Sequence, residues 1–103
     1  MEQLARAVLE TPGELDPALR KTVEAYAARL GGREGDPVEP PAELIPYLDK
    51  VAKHAYKVSD ADIDRLREAG YSEDAIFELT LAAALGAARA RLELGLGAMR
   101  AEH

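Results

Sequence analysis

The sequence contains no cysteine among its 103 residues. Disulfide exchange and peroxide reduction by a thiolate both require a cysteine nucleophile, so thiol redox chemistry is excluded. Aromatic side chains are also scarce, because the chain has one phenylalanine, four tyrosines and no tryptophan. The core must therefore consist mainly of Leu, Ile, Val and Ala. Alanine favours helices, and no alternating β-branched pattern predicts a strand.

Basic residues and long hydrophobic runs are lacking as well. The net charge is −6, and no basic cluster exists that could attract a phosphate backbone, so we expect no nucleic-acid partner. The longest run without charge, Leu79–Ala88, has ten residues, about half of what a membrane-spanning helix needs. The first residues lack a basic segment followed by an apolar one. We therefore expect no secretory signal, no membrane association and a cytoplasmic location.

Helical periodicity covers most of the chain, which we interpret as one all-α domain of five helices. The first is predicted within Met1–Glu10. The second is predicted to begin at Pro17, with Asp16 as its N-cap, and to end before Gly31. Residues 31–41 contain three glycines and three prolines, which indicates a loop.

Charge spacing and proline position add detail to the second and third helices. Arg20 and Glu24 are one turn apart, and we predict that they pair on the solvent-facing side. The third helix is predicted from Ala42 or from Pro46, since proline is tolerated only in a first turn. Its apolar stripe continues to Val58.

Two serines mark the starts of the last two helices. Ser59 and Asp62 have the spacing of a capping box, and Gly70 is predicted to end that fourth helix. Ser72 is predicted to cap the fifth helix, with acidic residues 73 and 74 in its first turn, where the helix dipole favours them.

The segment Ala75–Ala88 is apolar on nearly every side, with Glu78 as its only charge. A helix of this kind is buried all round, and a small domain has little material to surround it. We therefore expect a homo-oligomer assembled through the 75–99 helix, with a central helix wrapped inside one chain as the alternative. Thr80 is interpreted as a packing residue. Small residues that would let a partner helix approach are Ala82, Ala83, Ala84, Gly86, Ala87 and Ala88.

A candidate acid–base site lies on the third helix. Glu43, Tyr47 and His54 fall within an arc of about 40° at 100° per residue, and their side chains are the types used in general acid–base catalysis. The alternative is an ordinary solvated face, because Lys50 and Lys57 flank the same arc. A small-molecule ligand would fit the first interpretation.

Acidic residues 60, 62 and 64 could suggest a cation site. However, this segment lacks the glycine of a calcium loop, and helix capping explains the acidic residues without a metal. We predict no metal and no cofactor.

Several motifs resemble the alkylhydroperoxidase D-like family, which includes the carboxymuconolactone decarboxylases. The similar stretches are residues 47–54, 58–62 and 69–79, where Gly70-Tyr71-Ser72-Glu73 resembles the family's glycine–serine turn. The resemblance is best over residues 44–99. It implies a helical bundle, with trimers or hexamers formed through the long helices.

The resemblance also implies which chemistry is missing. The family's two redox cysteines would fall at Ala55 and Val58, and its histidine at Asp62, while the relay glutamate matches Glu43. The resemblance therefore implies an oligomeric binding or accessory module without thiol peroxidase activity. The alternative is a cofactor-free lactone decarboxylase or isomerase that uses Glu43, Tyr47 or His54.

Overall fold

The computed structural model describes Gly13 and residues 15–101. The helix predicted within Met1–Glu10 lies outside these described residues. The described part of the chain contains α-helices and short 3-10 turns but no strand, which confirms the all-α prediction. The four α-helices are α1 (Pro17–Leu30), α2 (Ile45–His54), α3 (Asp60–Glu68) and α4 (Glu73–Ala101).

The predicted helix starts are confirmed by their hydrogen bonds. The Asp16 side chain accepts a bond from the amide of Ala18 at 2.9 Å, and Pro17 is the first residue of α1. Ser59 and Asp62 form both halves of a capping box at α3. The Ser72 hydroxyl accepts the amide of Ala75 at 3.1 Å, so α4 also begins where the sequence predicts. Each cap satisfies an amide that has no partner inside its helix.

The third helix begins within one residue of Pro46, the later of its two predicted starts, but it ends before its apolar stripe does. A 3-10 turn, Ala42–Leu44, precedes α2, and α2 ends at His54 rather than near Val58. The Ala52 carbonyl, which would accept the amide of residue 56 in a continuing helix, instead accepts a bond from Arg91 at 2.7 Å. A second 3-10 turn follows α2, and Val58 is only half-buried.

The core lies between α1, α2 and the first half of α4. A Cβ atom added at Gly86 of α4 would lie 2.2 Å from the backbone oxygen of Glu24 in α1, so the two helices touch through their backbones. Some of the small residues on α4, which the sequence led us to expect at a contact with a partner helix, therefore form contacts within the chain instead. Those buried against the chain itself are Ala82, Ala83, Gly86 and Ala87, whereas Ala84 and Ala88 are exposed.

The prediction that Arg20 and Glu24 lie on the solvent-facing side is wrong. Both are buried, with 3% and 5% of their surface exposed, because this side of α1 faces the rest of the chain. The Glu24 carboxylate accepts hydrogen bonds from Arg33 and from Arg89, each at 3.2 Å. A buried carboxylate needs such partners, since its desolvation is otherwise uncompensated.

The second half of α4 extends beyond this core. Every residue from 91 to 100 is exposed, and we call this segment the arm. The long axis of the molecule is 51 Å, against 28 and 24 Å for the other two. Within the described residues, no helix has the length and apolar character that crossing a membrane would require.

Candidate functional site

Glu43 lies in the 3-10 turn before α2 and is exposed. The hydroxyl of Tyr71, from the turn between α3 and α4, donates a hydrogen bond to Glu43 Oε1 at 2.9 Å. Partial burial of Tyr71 and the adjacent carboxylate both raise the pKa of the Tyr71 phenol. Glu43 is therefore held by a phenol that keeps its proton at neutral pH.

Tyr47 lies on α2 and is buried. Its hydroxyl is 2.6 Å from the hydroxyl of Thr80 on α4, and Thr80 donates its own proton to the carbonyl of Ile76 at 2.7 Å. A hydroxyl has one proton, so Tyr47 must be the donor to Thr80. Thr80 is thus a hydrogen-bonding partner as well as a packing residue, and the Tyr47 proton is engaged in a structural bond.

Asp62 is buried at the start of α3, beside these groups. Lys50 on α2 donates to both of its carboxylate oxygens at 2.9 Å, and the Ser59 amide donates to Oδ2 at 2.9 Å. The hydrogen bond from Lys50, followed by that from the Ser59 amide, lowers the pKa of Asp62 to about 2. Asp62 is therefore ionised at neutral pH and pairs with a lysine rather than donating a proton.

A small cavity of about 90 Å³ adjoins these residues. A water molecule occupies about 30 Å³ in the liquid, so the cavity has room for a few waters, whereas small-molecule sites typically enclose about 300–1,000 Å³. Its walls combine two carboxylates and a guanidinium with apolar groups. The lining residues are Glu43, Pro46, Tyr47, Asp62, Arg65 and Leu66.

The structure brings together only two of the three candidate residues. Glu43 and Tyr47 both line the small cavity, but His54 does not. His54 is the last residue of α2 and is exposed, and its ring contacts that of Tyr56 edge-on at 5.9 Å between centroids. Tyr47 and His54 share an arc of α2, but His54 lies two helical turns, about 10.5 Å, further along the axis, so it does not reach the cavity.

Two members of this site were missed because they come from other elements. Tyr71 and Thr80 are 28 and 33 residues away from their partners Glu43 and Tyr47. A pattern search along one helix cannot find them. Within the described residues, no group of three His, Asp or Glu side chains lies close enough to hold a metal ion.

The second candidate site is a surface on α4. One side of the helix faces solvent along its whole length, and we call it the outer face. It is apolar, and its large side chains are well exposed, with values of 64% for Phe77, 47% for Leu92 and 62% for Met99. The outer face consists of Phe77, Leu81, Ala84, Ala88, Leu92, Gly95 and Met99.

An open cavity of about 380 Å³ lies at the N-terminal end of the outer face. It is lined by Gly13, Asp74, Phe77 and Glu78. Phe77 is the apolar wall of this cavity, and Asp74 and Glu78 provide carboxylates. The cavity is large enough for several side chains of a partner.

The remaining apolar residues of the arm point away from the outer face. Leu94 and Leu96 are exposed, and their positions differ by about 200° around the helix. The arm is therefore apolar on more than one side.

No protein-family model, curated protein or solved structure matches this chain, so the resemblance to the alkylhydroperoxidase D-like family depends on its sequence motifs alone.

Proposed function

We propose that this chain is an alkylhydroperoxidase D-like helical protein that works as a homo-oligomeric binding or accessory module. Its copies associate through the outer face of α4. The proposal includes the trimer or hexamer that the family resemblance implies, and it excludes thiol peroxidase activity because the chain has no cysteine.

The observation that supports this proposal is the uncovered outer face. At 100° per residue its members lie within an arc of about 80°, and from Phe77 to Met99 it is about 33 Å long. The first half of α4 is buried on its other side by α1 and α2. A contiguous exposed apolar surface of this length is typical of a protein–protein contact site.

The geometry of the small cavity favours a module over an enzyme. The cavity volume of about 90 Å³ is below that of ordinary substrate pockets. The Tyr47 proton is engaged with Thr80, Asp62 is paired with Lys50, and His54 is elsewhere. A lactone decarboxylase or isomerase would have to rely on Glu43.

An activity assay separates these alternatives. We expect the purified protein to leave a carboxylated lactone unchanged, because no base and acid flank a substrate-sized space. Turnover that disappears in Glu43→Gln, with the fold intact by circular dichroism, would instead establish the lyase alternative.

Light scattering during size-exclusion chromatography tests the assembly. We expect a mass that is a multiple of the 11.1 kDa chain. Ala84→Glu adds a carboxylate to the middle of the outer face and should yield folded monomers, since a charge buried between subunits is unpaired. The control is Ala61→Glu, the same change at an exposed alanine in the first turn of α3. A wild-type monomer at micromolar concentration would refute the proposal.

A further inference from the structure

The arm contains two glycines whose presence none of the described residues explains. A Cβ atom added at Gly95 or at Gly97 would have no atom within 4 Å, whereas one added at Gly86 would meet the backbone of α1. Glycine weakens a helix interior, and it is useful there where another backbone or side chain must come close. Contacts within this chain supply a reason for Gly86 but none for the two arm glycines.

Gly95 occupies a special place on the outer face. It lies 18 residues after Phe77, which is five full helical turns, so both face the same direction about 27 Å apart. The midpoint between them is residue 86. Ala84 and Ala88 lie two residues to either side of that midpoint and are both exposed.

This spacing makes the outer face complementary to itself when two copies are antiparallel. A two-fold axis at residue 86 places Phe77 opposite the partner's Gly95, and Ala84 opposite the partner's Ala88. The largest side chain of the face then meets the smallest, and the two helices approach each other at their alanines. A parallel pair would instead place Phe77 against Phe77 and leave a gap between the glycines.

The charges at the two ends favour the same orientation. Asp74 is exposed at the N-terminal end of the outer face, and Arg100 is exposed at the end of the arm. Arg100 lies about 140° around the helix from Gly95 and so makes no direct pair across the outer face, but the antiparallel arrangement brings the acidic N-terminal end of one α4 beside the basic end of the partner's arm. A parallel pair would align like charges and helix dipoles, both of which are unfavourable.

We propose that the occupant of the outer face is a second copy of this chain, packed antiparallel, and that its arm covers the open cavity beside Phe77. This inference depends on the proposed function, because it names the partner and geometry of the same face. The cavity, with Asp74 and Phe77 in its wall, is complete only when the partner's Gly95 and its neighbours close it. A two-fold contact of this kind forms a dimer, or a hexamer of three such pairs.

Cysteine cross-linking tests the geometry cleanly, because any introduced cysteine is the only thiol in the chain. Phe77→Cys and Gly95→Cys proteins are mixed in the reduced state and then oxidised. We expect disulfide-linked heterodimers in the mixture. Neither variant alone should cross-link, since identical positions lie about 27 Å apart along the axis, beyond the reach of a disulfide. Cross-linking of Phe77→Cys alone would overturn the antiparallel arrangement.

Removing Phe77 could itself weaken the contact, so a second mixture uses Ala84→Cys and Ala88→Cys, which change little in size. In the antiparallel pair the mixture cross-links efficiently, and a parallel pair would cross-link each variant by itself. Efficient cross-linking of the single variants, without a gain in the mixture, would contradict the inference.

The arm glycines provide a matched pair of variants. Gly95 is on the outer face, and Gly97 is about 200° away from it around the helix. Gly95→Ala should raise the dissociation constant of the assembly at least tenfold, because the added methyl group meets the partner's Phe77. Gly97→Ala should leave that constant unchanged. Equal dissociation constants for both variants would overturn the proposed contact.

The outcomes distinguish this inference from the proposed function. A monomer in every measurement refutes both. A trimer refutes the two-fold antiparallel contact but leaves the oligomeric module intact. An even number of subunits, with cross-links only in the mixtures, supports both.

Discussion

The two halves of α4 have similar compositions and very different surroundings. From Ala75 to Ala90 one side of the helix is buried against α1 and α2, whereas every residue of the arm from 91 to 100 is exposed. Leucine, alanine and glycine dominate both halves. The difference shows that composition marks a helix as able to pack but does not say what it packs against.

The glycines of the two halves of α4 also differ in their surroundings. Gly86 allows the backbone of α1 to approach, while a Cβ atom added at Gly95 or Gly97 would contact no neighbouring element within 4 Å among the described residues. The first half of α4 therefore has its partner within the chain, and the proposed partner of the arm is another subunit.

The largest expected effect is that of Ala83→Glu. Ala83 has 0% of its surface exposed, so a glutamate there must bury an unpaired charge and exceed the available space. We expect a loss of at least about 4 kcal/mol, which would unfold most domains of this size. Circular dichroism and thermal melting measure the loss.

Ala84→Glu is the matched control, because Ala84 follows Ala83 directly in the sequence and is exposed. We expect it to keep the helical spectrum and to stay within about 0.5 kcal/mol of the stability of an isolated protomer. If Ala83→Glu melts like Ala84→Glu, the assignment of the buried and outer faces of α4 is wrong.

The next largest effect concerns the ion pairs that join α1 to α4. Glu24→Gln removes the buried charge that both Arg33 and Arg89 contact. We expect a loss of about 3 kcal/mol, since breaking a buried pair leaves a guanidinium with less compensation. The exposed control is Glu93→Gln, whose carboxylate pairs with Arg33 near the surface and should cost less than about 1 kcal/mol. Equal costs in urea unfolding would argue against the buried position of Glu24.

A smaller effect is expected for Gly86→Ala. The new Cβ would lie 2.2 Å from the Glu24 carbonyl oxygen, so the two helices must move apart. We expect a net loss of about 1–2 kcal/mol after the gain in helix propensity is subtracted. Gly97→Ala should instead gain up to about 1 kcal/mol, because its methyl group meets nothing. A gain in both variants would show that the helix crossing is looser than described.

The helix starts could be predicted from the sequence because capping is local chemistry. Asp16, Ser59 and Ser72 each bond an amide two or three residues away. The end of α2 could not be predicted, since the Ala52 carbonyl is engaged by Arg91, 39 residues later. The side of α4 that α1 covers could not be predicted either, because alanine is compatible with a contact on any side.

The candidate site could be predicted only in part, because some of its residues are close in sequence and others come from distant elements. Glu43 and Tyr47 are close in sequence and share one cavity, whereas Tyr71 and Thr80 approach from other elements. His54 shares the arc of Tyr47 on α2 but lies two helical turns further along the axis. Residues on one face of a helix share a cavity only when they are also close along its axis, and a shared arc does not test this.

The smallest expected effect extends the comparison to α3, which is attached to α2 through charges. Lys50 and the Ser59 amide stabilise the Asp62 carboxylate and lower its pKa from 3.8 to about 2. A depressed pKa in the folded state stabilises the protein above the unfolded value. This contribution is therefore complete above about pH 4 and is lost as the pH falls toward 2.

Asp62→Asn should make urea unfolding less dependent on pH over this range, while Asp64→Asn, at an exposed aspartate of the same helix, should keep the wild-type dependence. An unchanged pH dependence in Asp62→Asn would mean that the contact between Lys50 and Asp62 contributes nothing to holding α3, and the attachment of this helix would then depend on Leu66 alone among its buried apolar side chains.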